Sequence, residues 1–133
     1  MKRREQALLL LGKAAQDEAL LDEVLDSRNI SDEVIGFHCQ QAAEKLLKAL
    51  LSDLGVAFRK THELGGLMEE LQRAGASLPP DFDALDMLTP FSAVYRYEDY
   101  DADAPLDRVQ ARAMLRSLRG WIERKLETRP FES

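Results

Sequence analysis

The residues best placed to do chemistry fall between positions 35 and 54. Apolar residues there recur with helical spacing. At 100° per residue, Ile35, Cys39, Ala42, Leu46, Ala49 and Leu50 form a packing seam, widened by Ala43, Leu47 and Leu54. His38, Gln41, Lys45, Lys48 and Ser52 form a separate strip, bordered by Phe37 and Glu44. An imidazole, an amide and two amines on one strip could hold a phosphate or a base. The same spacing also suits a solvated face with ordinary i,i+4 pairs. A second group is Arg108, Arg112, Arg116 and Arg119, which line one side of the last helical segment opposite its apolar arc. They are the best basic patch in the chain and could meet RNA phosphates or an acidic partner. A plain charged face fits them as well. Asp99, Asp101 and Asp103 alternate as at the start of a calcium loop, but Ala104 and Gln110 stand where such a loop needs Gly and Glu. Cys39 lies in the packing seam and reads as a buried thiol. Glycine-rich phosphate loops, Ser-His-Asp arrangements and metal-ligand clusters are absent, so no cofactor and no metal are expected.

These residues belong to a chain of 133, a length that suits one domain over 1–133. A chain of this size buries roughly two-thirds of its unfolded surface, enough for a core without staples. Hydrophobic residues are 45% and charged residues 32%, a globular composition. A single cysteine excludes an intramolecular disulfide and a cysteine zinc site. The run Leu8 to Leu11 is too short for a signal or a membrane span, and charge returns at Lys13 and Asp17. A soluble, cytoplasmic protein with no membrane contact is expected. The net charge of -6 argues against broad nucleic-acid affinity, which depends on neutralising phosphates.

Strand alternation is missing and helical periodicity runs almost throughout. The first helix is expected from about Lys2 to Leu25, with Leu8, Leu11, Ala15 and Leu25 on its packing side and Leu10, Ala14 and Leu21 beside them. Ser31 reads as the N-cap of the second helix, with Asp32 and Glu33 suiting its dipole, and Gly55 as its stop. Thr61 reads as the next cap, ahead of Leu64, Leu67, Met68 and Leu71, with Gly75 ending that helix. A short helix carries Phe82, Leu85 and Leu88, and Thr89 and Pro90 restart it with Phe91, Val94 and Tyr95 facing inward. After an acidic loop from Glu98 to Ala104, Pro105 opens a last helix to about Glu127. Its apolar arc is Ala111, Met114, Leu115, Leu118, Trp121 and Ile122. The expected fold is all-α, an up-and-down antiparallel bundle of four to five helices with the second helix at its centre.

Three segments resemble a known family. FHCQQAAEKLLKALL (37–51) resembles the signature on the second helix of HEPN domains, KTHELGGLMEEL (60–71) resembles their following His-Leu helix start, and VYRYEDY (94–100) resembles their late Arg-Tyr motif. Order and spacing agree across nearly the whole chain. The resemblance implies a small helical bundle, usually a homodimer, often encoded beside a minimal nucleotidyltransferase and in some members a toxin ribonuclease. It makes Arg96 the counterpart of the family's catalytic arginine, with Tyr97 beside it. The ribonuclease motif is an Arg followed after four to six residues by a His. Here Asp101, Ala102 and Asp103 occupy the relevant positions after Arg96, and no other Arg has a His at that spacing; His62 lies three residues after Arg59.

The sequence therefore supports a non-catalytic HEPN protein, homodimeric, binding a nucleotide, RNA or partner chain and acting with a nucleotidyltransferase. Its candidate binding residues are His38, Gln41, Glu44, Lys45, Lys48, Arg96 and Tyr97, with His62 and the four arginines of the last helix as secondary candidates. Arg96 paired with Glu44, and Tyr97 packed, is the structural alternative. A ribonuclease toxin of a toxin–antitoxin pair and a purely structural interaction module are the other two readings. Trp121, Phe131, Phe37 and Leu51 are expected to form an apolar patch that a two-fold copy covers.

Overall fold

The computed structural model describes residues 2–58, 63–92 and 106–128. These form α1 (Arg3–Val24), α2 (Asp32–Asp53), α3 (Leu64–Arg73), a 3₁₀ segment (Pro80–Phe91) and α4 (Arg108–Thr128). No strand occurs among the described residues. Arg4 at the start of α1 meets Asp53 at the end of α2 and the carbonyl of Leu126 near the end of α4. Arg108 at the start of α4 meets Asp32 at the start of α2. So α1 runs antiparallel to α2 and α4, which run parallel to each other.

α2 sits in the middle because it is buried on nearly every side. Ile35, Cys39, Ala42, Ala43, Leu46, Leu47, Ala49, Leu50 and Leu51 are all at most 1% exposed, and a helix apolar over more than half of its circumference must be packed on several sides. It packs against α1, α3, the 3₁₀ segment and α4. Alanines at 42, 43 and 49 let neighbouring helices come close. Gly36 does the same for the 3₁₀ segment, since a Cβ there would collide with the Phe91 ring. The Oγ of Ser31 accepts from the Val34 N–H, as its cap position required. Gly55 ends α2 at φ 76°, with the Gly55 and Val56 N–H groups donating to the Ser52 and Leu51 carbonyls. Gly75 closes α3 in the same way.

Several expectations are corrected. The inward face of α1 is Ala7, Leu11, Ala14, Asp17, Glu18 and Leu21; Leu8 and Ala15 point to solvent. Two carboxylates occupy an arc that hydrophobicity alone assigns elsewhere. Thr89 and Pro90 do not restart a helix, because the 3₁₀ segment passes through both. Thr89 instead serves α3: its Oγ1 donates to Asp86 and lies 3.5 Å from the Leu64 N–H, while Asp86 accepts from Gly65. α4 begins at Arg108 rather than Pro105, with Asp107 accepting from the Gln110 N–H. Leu51 is fully buried and Phe37 is half-buried, so neither contributes to an exposed patch as expected. Trp121 packs partly against the core beside Phe82. Thr61, Val94, Tyr95, Pro105, Phe131 and the acidic loop lie outside the described residues.

Candidate functional site

The polar strip of α2 exists, but carboxylates hold its cations. His38 Nδ1 lies 3.0 Å from Asp17 Oδ1, and Lys45 Nζ lies 2.6 Å from Asp17 Oδ2. Asp17 comes from α1, so one carboxylate bridges two residues a double turn apart on α2. Its side chain is 12% exposed, against 26% for each partner. The contact through Nδ1 directs the other ring nitrogen, Nε2, away from Asp17. Phe37 stands edge-on to the imidazole at 5.2 Å between ring centres.

A second chain of bonds runs beside it. Gln41 donates to Gln40, and Gln40 donates to Glu44 Oε1, both at 2.9 Å. Lys48 binds Glu44 Oε2 at 2.8 Å and places its ammonium 5.3 Å from the centre of the Phe58 ring. Gln40 and Glu44 are buried. Ser52, the last member of the strip, is buried at the α2 C-terminus, and its hydroxyl has no hydrogen-bond partner among the described residues.

The strip is thus a hydrogen-bonding face rather than a positive one. Two ammonium groups meet two carboxylates, so its formal charge is zero with His38 neutral. Lys45 and Lys48 each keep donors beyond the one that their carboxylate takes. A ligand here would be recognised by hydrogen-bond pattern, with little help from net charge. Reading along the sequence misses Asp17 and Gln40. Asp17 carried a signal: it continues the inward Ala14–Leu21 arc of α1, where a charge needs a partner.

The arginines of α4 are not a basic patch. Arg112 is 6% exposed and grips Asp22 at 2.6 and 3.0 Å and Glu18 at 3.2 Å. The Arg112 hydrogen bonds hold the Asp22 carboxyl below its ordinary pKa, and the Arg112 guanidinium is raised in turn. Arg119 binds Glu18 and the Leu11 carbonyl. Arg108 binds Asp32 and the carbonyls of Leu25, Ser27 and Ile30. Only Arg116, 61% exposed, stays largely in water, and it too reaches Asp22. Arg112, Arg116 and Arg119 are thus rungs between α1 and α4, and Arg108 ties the start of α4 to the α1–α2 connection and the start of α2. The sequence reading placed all four opposite the apolar arc; in the structure they flank it, three facing α1 and Arg108 the turn before α2.

Among the described residues, no three His, Cys, Asp or Glu side chains converge as a metal site needs, and no helix is long and apolar enough to cross a membrane. Cys39 is fully buried, which pushes its thiol up to about 12. Arg96, Tyr97 and His62 lie outside the described residues, so the structure brings together only the α2 members of the expected site.

The family model described as HEPN domain matches residues 9–127, nearly the whole chain. The chain belongs to the HEPN family. Among curated proteins and solved structures nothing matches. The five helical elements of this HEPN chain carry the family's helix-two segment on the central helix, where the hydrogen-bonded strip is built.

Proposed function

We propose that this HEPN protein is a cytoplasmic, homodimeric binding module without catalytic activity, working beside a minimal nucleotidyltransferase and using the α2 strip to hold a nucleotide or the partner chain. The observation that carries this reading is the pairing of the strip. Asp17 and Glu44 fix His38, Lys45 and Lys48 in place and cancel their charge, which suits specific hydrogen bonding better than the transient charge of phosphodiester cleavage. The missing Arg-to-His spacing supports the same side. Isothermal titration with ATP and AMP tests the nucleotide: binding should weaken about tenfold in Lys45→Ala, the loss expected for one charge-assisted hydrogen bond, and also in Arg96→Ala. Unchanged affinity in both variants sinks the assignment to this strip.

One observation favours the ribonuclease reading. An imidazole oriented by a buried carboxylate is the arrangement that general acid–base catalysis uses, and His38 with Asp17 has it. Metal-free incubation with RNA separates the two. The binding reading expects no cleavage above background. Cleavage that disappears in both His38→Ala and Arg96→Ala would establish the toxin reading instead.

A further inference from the structure

Where α1 begins and α2 ends, the two helices border a cavity of about 370 Å³ that the α2 strip does not use. That is the lower end of the range for small-molecule sites, roughly 300–1,000 Å³. Arg3 and Gln6, three residues apart on α1 and both exposed, stand at its rim. Ser52 is the buried member of its lining, 5% exposed, and the Ser52 hydroxyl has no hydrogen-bond partner among the described residues. The segment from Gly55 to Phe58 forms the remaining wall, with the half-buried Phe58 ring at one end. Gly55 matters twice. It ends α2 at positive φ, and a Cβ there would overlap the Arg3 guanidinium, so glycine lets that group lie against the backbone.

The charges select a ligand. Arg3 is the one charged residue in the lining. Next to it, Asp53 is taken by Arg4 at 2.7 Å and Lys48 by Glu44 at 2.8 Å. The amino end of α1, which no side chain caps at Lys2, meets the carboxyl end of α2, and their dipoles offset one another. One positive charge is left, which matches a monoanion and leaves half of a dianion unmatched. Arg3 also interacts within the chain, but a guanidinium has five donors to share, and its fork fits the two oxygens of a carboxylate.

We infer that this cavity binds a small organic monocarboxylate. Arg3 and Gln6 take the carboxylate at the rim, the Ser52 hydroxyl donates to it from the inner side, and Ala57 and Phe58 cover the apolar body. The site lies past Lys48 at the end of α2, and it holds whether or not the strip takes a nucleotide.

The test uses the full chain, labelled with nitrogen-15, and benzoate as the probe. Benzoate should shift the Gly55, Val56 and Ala57 amides, with a dissociation constant in the millimolar range. Benzamide, uncharged and of the same shape, should bind about tenfold more weakly or worse, as should benzoate to Arg3→Ala, whose folding circular dichroism confirms. Arg3→Lys keeps the charge without the fork and should recover only part of the affinity. Ser52→Ala should weaken benzoate about threefold, yet the urea midpoint of the ligand-free protein should not fall, because the hydroxyl forfeits no bond. A lowered midpoint with unchanged binding would make Ser52 structural and overturn its role. AMP, whose phosphate carries nearly two charges at neutral pH, should shift these three amides less than benzoate does. No shift with about 20 mM benzoate, a Kd beyond the millimolar range, overturns the site, and so does equal binding of benzamide or by Arg3→Ala. Stronger shifts with AMP overturn the monocarboxylate assignment. None of these outcomes touches the α2 strip, which is read with ATP and Lys45→Ala.

Discussion

Two glycines show how residue chemistry depends on what lies opposite. Gly36 faces the Phe91 ring so closely that a methyl group cannot fit, whereas a Cβ at Gly66 would meet nothing within 4 Å. Gly36→Ala should therefore force the 3₁₀ segment outward and cost about 1–3 kcal/mol. Gly66→Ala removes only the backbone freedom of the unfolded chain and should stabilise by about 0.5–1 kcal/mol. Urea denaturation of both variants checks the pair, and the same sign for both would contradict the packing described. The sequence shows two glycines in helical segments and nothing of this difference, since it does not reveal the distance to Phe91. The strip on α2 was readable because five polar residues share one arc. The carboxylate that organises half of it left only an indirect signal, a charge on the inward arc of α1, because Asp17 lies on another helix and the sequence does not show which residues it meets.

At the scale of elements, the period of the apolar residues told more than their number. The 3₁₀ segment buries Phe82, Leu85, Leu88 and Phe91, a strict spacing of three. That is the repeat of a 3₁₀ helix with 3.0 residues per turn; an α-helix would also draw on i+4 positions. The pattern stood in the sequence, but Pro90 made a break the simpler reading. The joint between α1 and α4 was hidden, because arginines spaced three and four apart look alike whether they meet water or carboxylates. That joint makes two predictions. Arg112→Met removes a partner shared by Glu18 and Asp22 and leaves Glu18, 5% exposed, with Arg119 alone; it should cost about 2–4 kcal/mol, whereas the exposed Arg116→Ala should cost under about 0.5 kcal/mol. Asp22 has a depressed pKa in the folded state. Its contribution is full above the unfolded carboxyl value near 3.8 and is lost as pH falls through the lower folded value. Stability of the wild type should thus drop more steeply below about pH 4 than that of Asp22→Asn, measured as urea midpoints across an acid series.

For the whole molecule, the question is whether an acidic bundle can act on RNA through its surface. The net charge is -6, and the cations that seemed available on α4 are spent on α1 and on the turn before α2. Lys45 and Lys48 are likewise matched by Asp17 and Glu44. Non-specific binding grows with the number of phosphates neutralised, and each released counterion contributes about 0.7 to 0.9 to the slope of log K against log salt. Two lysines with part of their donors occupied can neutralise at most about two phosphates, so the slope for single-stranded RNA should be no steeper than about -1.5. Affinity at 0.15 M salt should be weaker than about 10 µM, within the range of bare charge attraction. The nucleotide binding proposed for the strip would behave differently. Resting on hydrogen bonds to His38, Gln41, Lys45 and Lys48, it should change little between 0.05 and 0.2 M salt, where buried and partly buried contacts are screened least. A salt titration monitored by fluorescence anisotropy with labelled RNA, set beside calorimetry with ATP, separates the two. A steep RNA slope would mean that a basic surface forms from residues other than those of α2 and α4, and would move the reading of this HEPN chain toward RNA.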